Sequence, residues 1–204
     1  MSDPLPGAAP GAALSHLLYL HGFRSSPQSA KSRRVAAWVA EHRPDLTWLA
    51  PQLAPSPRSA IEQVLAGVAD WPGERMAVIG SSLGGFYATA VAERIGCRAV
   101  LLNPAVDPAR DLAAHIGEQI SWHSDERFFF HAEFVAELRA LAAPATLTRL
   151  ERYFAVIAKG DEVLSWQEMS ARYAGCRIRL IEGSDHALSD FESHLPAVLA
   201  FLGL

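Results

Sequence analysis

A chain of 204 residues, half of them hydrophobic and a fifth charged, carries enough apolar material for one well-buried core and too little length for two ordinary domains. A formal net charge of -4 without a dense Lys/Arg stripe argues against nucleic acid as a partner, and no apolar run approaches the ~20 residues a membrane-crossing helix needs. Cys97 and Cys176, far apart and flanked by apolar runs, fit reduced thiols better than a disulfide framework, and the absence of HExxH, paired CxxC, P-loop or GxGxxG motifs leaves no metal or cofactor to expect.

Residues 1–14 are rich in Pro, Gly and Ala and lack the charged start and cleavable apolar core of a secretory signal. They read as a disordered tail on a cytoplasmic protein, with 15–204 as one domain. The first predicted strand is HLLYL (His16–Leu20), followed by the loop HGFRSSP and an amphipathic helix, SAKSRRVAAWVAEH, whose KSRR (Lys31 to Arg34) reads as a solvated face. Then come a strand LTWLA (Leu46–Ala50), a helix SAIEQVLAGVAD, a strand MAVIG (Met76–Gly80) and a helix GGFYATAVAERI. Further strands are predicted at Ala99–Asn103, Tyr153–Ala158 and Arg177–Ile181, with helices SWQEMSARYAG and SDFESHLPAVLAFL; Pro196 in the last is tolerated only if Leu195 opens a fresh first turn. The strands are continuously apolar rather than alternating, as strands buried on both faces are. Alternation with helices predicts an α/β fold: a mostly parallel sheet of about six strands with helices on both faces.

The stretch 105–150 breaks this rhythm. It holds Trp122, the run Phe128 to Phe130 and an amphipathic HAEFVAELRALAA, and reads either as a small helical cap over a site at the sheet edge or as helices packed on the sheet.

Chemistry concentrates at GSSLGG, between a predicted strand and a predicted helix. In a nucleophile elbow, G-x-S-x-G, the serine sits on a sharp strand-to-helix turn, and small residues two places either side let neighbouring elements approach. Ser82 has Gly80 and Gly84 there, whereas Ser81 has Ile79 and Leu83, whose side chains would crowd the turn. Ser82 is therefore the candidate nucleophile, the other possibility being a Gly-rich turn capped by serine.

A serine hydroxyl needs a base, and among the eight histidines the order Ser, acid, His leaves His115, His123, His131, His186 and His194. The first three lie in the cap stretch and His194 in a helical pattern, so His186, in the polar loop EGSDHALS after the last strand, is the candidate base. Asp161, after a strand and a glycine turn, is a candidate acid or a helix cap, and Asp107 is its rival. Glu162 would point elsewhere, and Asp185 reads as stabilising its own loop. For the oxyanion, the N–H of Leu83 and one from the loop His21–Gly22–Phe23 are the candidates, Phe23 before its neighbours.

YLHGFRSSPQSAKS, GSSLGGFYAT, LLNPAV, GDEVL, EGSDHAL and the terminal FLGL together resemble the YqiA/YcfP-type esterases, small α/β-hydrolases. The resemblance runs from about His16 to Leu204 and is weakest over 105–150. It implies a cofactor-free Ser–Asp–His esterase with Ser82 as nucleophile, Asp161 rather than Asp107 as acid and His186 as base, acting on small-molecule carboxylic ester or acyl-thioester substrates. An amidase or peptidase on the same residues, and a non-catalytic binding protein on the same fold, are the other readings.

Overall fold

Apolar runs that cannot alternate must be covered on both sides, and this requirement sets the architecture. The computed structural model describes residues 13–122 and 126–204. The elements are β1 (His16–Leu20), α1 (Ala30–His42), β2 (Thr47–Leu49), α2 (Pro57–Gly67), β3 (Met76–Ser81), α3 (Leu83–Ile95), β4 (Arg98–Leu102), α4 (Pro108–Asp111), β5 (Gly117–Ile120), β6 (Arg127–Phe130), α5 (Ala132–Leu141), β7 (Tyr153–Ala158), α6 (Trp166–Arg172), β8 (Arg177–Ile181) and α7 (Leu195–Leu202). Six strands form one sheet in the order β2-β1-β3-β4-β7-β8, with every neighbouring pair parallel. Among the described residues no helix is long and apolar enough to cross a membrane.

The strand period of two sorts the side chains into two cores. Leu17, Tyr19, Ala77, Ile79, Phe154 and Val156 face Val35 and Val39 of α1 and Val198 and Leu202 of α7. Their neighbours Leu18, Leu20, Val78, Leu101, Ala155 and Ile157 face the opposite side, where α2, α3, α5 and α6 pack. Pro196 falls in the first turn of α7, after a separate short helical turn over Phe191–Ser193, so its missing N–H costs no intrahelical bond.

The chain runs from β1 out to β2 and then back across to β3 on the other side of β1. Loops leaving β1 and β3 therefore diverge at their C-terminal ends, the switch point where open α/β sheets form ligand crevices. Leu20 pairs with Gly80 in register, so HGF and GSS emerge side by side.

Three expectations need correction. Residues 1–12 of the expected tail lie outside the described residues, but Leu14 is buried in the core beside α1, and its carbonyl accepts from Arg43. An apolar side chain just before the first strand is held by burial, whatever the composition before it. The stretch 105–150 is not wholly helical: α4 and α5 flank an antiparallel hairpin of β5 and β6. Its phenylalanines obey the strand period, with Phe130 buried, Phe128 partly buried and Phe129 exposed. Nor is KSRR simply a solvated face: Ser32 is buried, Arg34 pairs with Glu192, and the Lys31 ammonium donates to the Ala187 carbonyl.

Candidate active site

Ser82 sits at φ 55° and ψ −121°, in the positive-φ territory that costs a non-glycine residue about 1–3 kcal/mol. Tertiary bonds hold it there: Ser82 N–H donates to Leu102 O at 3.0 Å, and Ser82 O accepts from Ala105 N at 3.0 Å and Gly85 N at 2.8 Å. The flanking glycines make the turn possible. A Cβ on Gly84 would stand 2.0 Å from Leu20 O, and one on Gly80 would stand 2.1 Å from Gly84 O, both backbone atoms that cannot rotate away. Gly84→Ala is therefore expected to lower unfolding free energy by about 1–3 kcal/mol, read as a shift in denaturant midpoint. A shift under about 0.5 kcal/mol would show that α3 can slide off β1 at little cost.

The structure brings three of the sequence-selected side chains into one line. His186 Nε2 lies 3.0 Å from Ser82 Oγ, and His186 Nδ1 lies 2.8 Å from Asp161 Oδ2. An ionised carboxylate only accepts, so Nδ1 carries the proton and Nε2 offers its lone pair to the serine hydroxyl. Asp161 Oδ1 accepts from Val163 N at 2.8 Å and Leu164 N at 2.7 Å, and its side chain is fully buried. Asp161 thus orders its own turn while facing the imidazole; the helix α6 that follows is capped by Ser165 instead. Asp107 lies away from this line, as the N-cap of α4, accepting from Arg110 N.

Among the described residues, the other candidate histidines are engaged elsewhere. His115 packs edge-on against Phe23, His131 lies between Phe129 and Phe134, and His194 pairs with Asp190. His123 lies outside the described residues.

The loop bearing His186 is tied down from several sides, by Asp185 as the sequence suggested and by Glu162, Lys31 and Asn103, which the sequence did not mark for such a part. Glu162, expected to point away, accepts the His186 backbone N–H at 2.9 Å. Asp185 accepts both the N–H and hydroxyl of Ser189 within its own loop, which holds its carboxyl below the usual range. Lys31 reaches across from α1 to Ala187, and burial pushes its ammonium down to about 8. Asn103, fully buried after β4, bonds to this loop and to the end of β7 at once. A lysine in a charge run and an asparagine ending an apolar strand carry no periodic signal of such duty.

On the other side of Ser82 lies the loop after β1. A Cβ on Gly22 would stand 3.2 Å from Ser82 Cβ and 3.6 Å from Ser82 Oγ, so this backbone passes close to the hydroxyl. His21 is buried; its Nε2 accepts from Leu53 N at 3.0 Å, which leaves Nδ1–H to donate to Gly22 O at 2.9 Å. Phe23 packs edge-on against Phe128 and Phe130 of the hairpin, and Arg24 lies over the Trp122 ring and donates to Ile120 O. The β5–β6 hairpin and the HGF loop therefore pack together.

Two cavities flank that loop. The larger, about 790 Å³, contains Ser82 and His186 and is bounded by Trp122, Val163, Lys31 and Glu162. The smaller, about 320 Å³, is lined by Phe23, Leu53, Leu83, Tyr87, Phe128 and Phe130. Of the aromatic residues in 105–150, Trp122 borders the Ser82 cavity, while Phe128 and Phe130 line the smaller one.

The fold is that of known α/β hydrolases. An Agrobacterium vitis S4 protein described as a candidate hydrolase matches with a TM-score of 0.74 at 18% identity, over 93% of this chain and 88% of that one. Est1E from Butyrivibrio proteoclasticus, solved with ferulic acid bound, matches with a TM-score of 0.69 at 16% identity, over 93% and 88% of the two chains. The Pyrococcus furiosus esterase Pf2001 matches with a TM-score of 0.63 at 16% identity, over 94% and 82%. Residues 16–203 match the model of the uncharacterised protein family UPF0227, and the chain thus belongs to that family, the YqiA/YcfP family.

Proposed function

We propose that this protein is a serine hydrolase of carboxylic esters or acyl thioesters, working through an acyl-enzyme on Ser82. The observation that carries this is the hydrogen-bonded line from Ser82 Oγ through His186 to Asp161, at 3.0 and 2.8 Å, opening on the larger cavity. Ser82 attacks the carbonyl carbon as its proton passes to His186 Nε2; Asp161 keeps the imidazole in the accepting tautomer and stabilises the imidazolium. The backbone N–H groups of Leu83 and Phe23 receive the oxyanion, a role supported by the position of Leu83 directly after the serine and the close passage of the Gly22 backbone. The imidazolium then protonates the leaving group. Water, giving its proton to His186, then attacks the acyl carbonyl, and the imidazolium returns that proton to Ser82 Oγ as the acid leaves.

The Phe23 ring is wedged among Phe128, Phe130 and His115, which fixes the peptide unit that carries the proposed second donor. His21, Gly80 and Gly84 support this geometry without touching substrate.

A fluorophosphonate probe should label the wild-type protein at Ser82, located by peptide mass spectrometry, and hydrolysis of short-chain nitrophenyl esters should outpace that of matched anilides. Absence of labelling would leave a non-catalytic binding protein, and equal rates on the anilides would favour an amidase. Parallel acyl-length series on oxygen esters and CoA thioesters would decide between the two leaving groups.

A further inference from the structure

The end of β4 meets the serine turn, the strand before Asp161 and the loop of His186. Leu102 O accepts the Ser82 N–H, Ala105 N–H donates back to Ser82 O, and Asn103 N–H donates to Val156 O of β7. Between these, the Asn103 side chain is wholly enclosed, with no exposed surface. Its Oδ1 accepts from Ala158 N at 2.8 Å, three residues before Asp161. Its Nδ2 donates to Asp185 O at 3.0 Å and to His186 O at 3.2 Å. One carboxamide thus bridges the strand that leads to Asp161 and the peptides of Asp185 and His186 themselves, beyond the backbone bond from Gly160 N to Gly183 O that joins the two segments nearer the strands.

The residue type suits the task closely. It must offer an acceptor on one edge and two N–H donors on the other, which only Asn and Gln do, and Gln is one methylene too long for an enclosed site. The backbone is at φ 41°, a left-handed conformation that asparagine tolerates better than most side chains. Neither the strain nor the burial of a four-valent polar group is needed to close the sheet.

We propose that Asn103 is a positioning residue for the reaction: its carboxamide sets the distance between His186 and Asp161 and holds the imidazole toward Ser82, without touching substrate. The proposal rests on the hydrolase reading above. It gives a buried polar side chain outside the Ser82–His186–Asp161 line a share in the rate, in the way that groups behind a metal ligand or a catalytic imidazole commonly govern it.

The test compares wild type with Asn103→Ala, Asn103→Gly and Asn103→Asp. Alanine removes the side-chain bonds; glycine does the same while suiting the positive φ; aspartate keeps the volume and the acceptor for Ala158 N but sets an oxygen against two carbonyls. Competent sites are counted by stoichiometric fluorophosphonate incorporation, so that every rate is expressed per folded site. The expected result is a kcat and a labelling rate per site about 10–100-fold lower in all three variants, with KM changed by less than about threefold. The far-downfield Nδ1 proton of His186, sought by NMR in wild type, should broaden or vanish. A purely structural role would instead lower the denaturant midpoint or the number of competent sites and leave the per-site rates within twofold, and that outcome would overturn the proposal. Should the alanine variant fail to fold, the glycine and aspartate variants decide. Should wild type resist labelling, the hydrolase reading falls by itself. The imidazole proton would then decide whether Asn103 positions His186: an unchanged signal in the variants says it does not.

Discussion

Ser82→Ala is expected to lower kcat by a factor on the order of 10⁶ while leaving the fold intact, by the measure of triad knockouts in another serine hydrolase. The two halves of that expectation have separate causes. The chemical half follows because Ser82 Oγ is the hydroxyl within reach of His186 Nε2, and no neighbouring oxygen takes its place: Ser81, the adjacent residue, is buried at the end of β3. What survives would be the contribution of the oxyanion donors and of binding, about 10³–10⁴ over water. The structural half follows because Ser82, although it stands at the N-cap of α3, makes no side-chain cap hydrogen bond. Its loss therefore forfeits none of the ~1 kcal/mol that a capping hydroxyl supplies. Stability should stay within about 0.5 kcal/mol of wild type, and Ser82→Gly, freed of the positive-φ cost, should be the more stable of the two. Hydrolysis of a short-chain nitrophenyl ester and a urea titration on each variant check both halves. A Ser82→Ala protein still turning over within tenfold of wild type would end the assignment.

How much of this site could be seen in the sequence depended on the range of the interaction that creates it. The elbow is local: Gly80 and Gly84 are two residues from Ser82, and the steric demand they meet, the approach to Leu20 O and Gly84 O, belongs to a single turn. His186 follows from elimination along chain order, and among the described residues its rivals are engaged elsewhere, with His115 packed on Phe23, His131 between Phe129 and Phe134, and His194 paired with Asp190. The acid was harder, because an aspartate after a strand and a turn serves equally as a helix cap. Asp107 took that role at α4, while Asp161 sits at the end of β7, beside the β8 loop that brings His186. That choice is set by strand order, which spacing alone does not encode. The hairpin within 105–150 was masked by three consecutive phenylalanines, a pattern that becomes a strand only once Phe129 is seen to face out. Lys31 and Asn103 are invisible for the same reason in opposite settings, since each makes its decisive bonds to residues 55 to 156 positions away.

Asp161→Asn should cost about 10⁴ in kcat, and the reason lies in the two backbone donors behind the carboxylate rather than in the lost charge alone. Oδ1 accepts from Val163 N and Leu164 N, so an asparagine must place its only carbonyl oxygen there and turn its NH₂ toward His186. An NH₂ facing Nδ1 demands a lone pair on that nitrogen, which moves the imidazole proton to Nε2. His186 would then donate to Ser82 Oγ where it must accept, and the hydroxyl would have no base within 3.0 Å. The turn, in contrast, keeps both of its hydrogen bonds, so the variant should unfold at nearly the wild-type midpoint. Asp161→Ala separates the two roles: it removes the acceptor of the Val163 and Leu164 N–H groups and should add a stability loss of about 1 kcal/mol to a similar loss of rate. Asp107→Asn, which retains a capping oxygen on α4, should leave the rate within about twofold and serves as the control. If Asp161→Asn stayed within tenfold of wild type, the tautomer argument would fail, and with it the part given to Asp161.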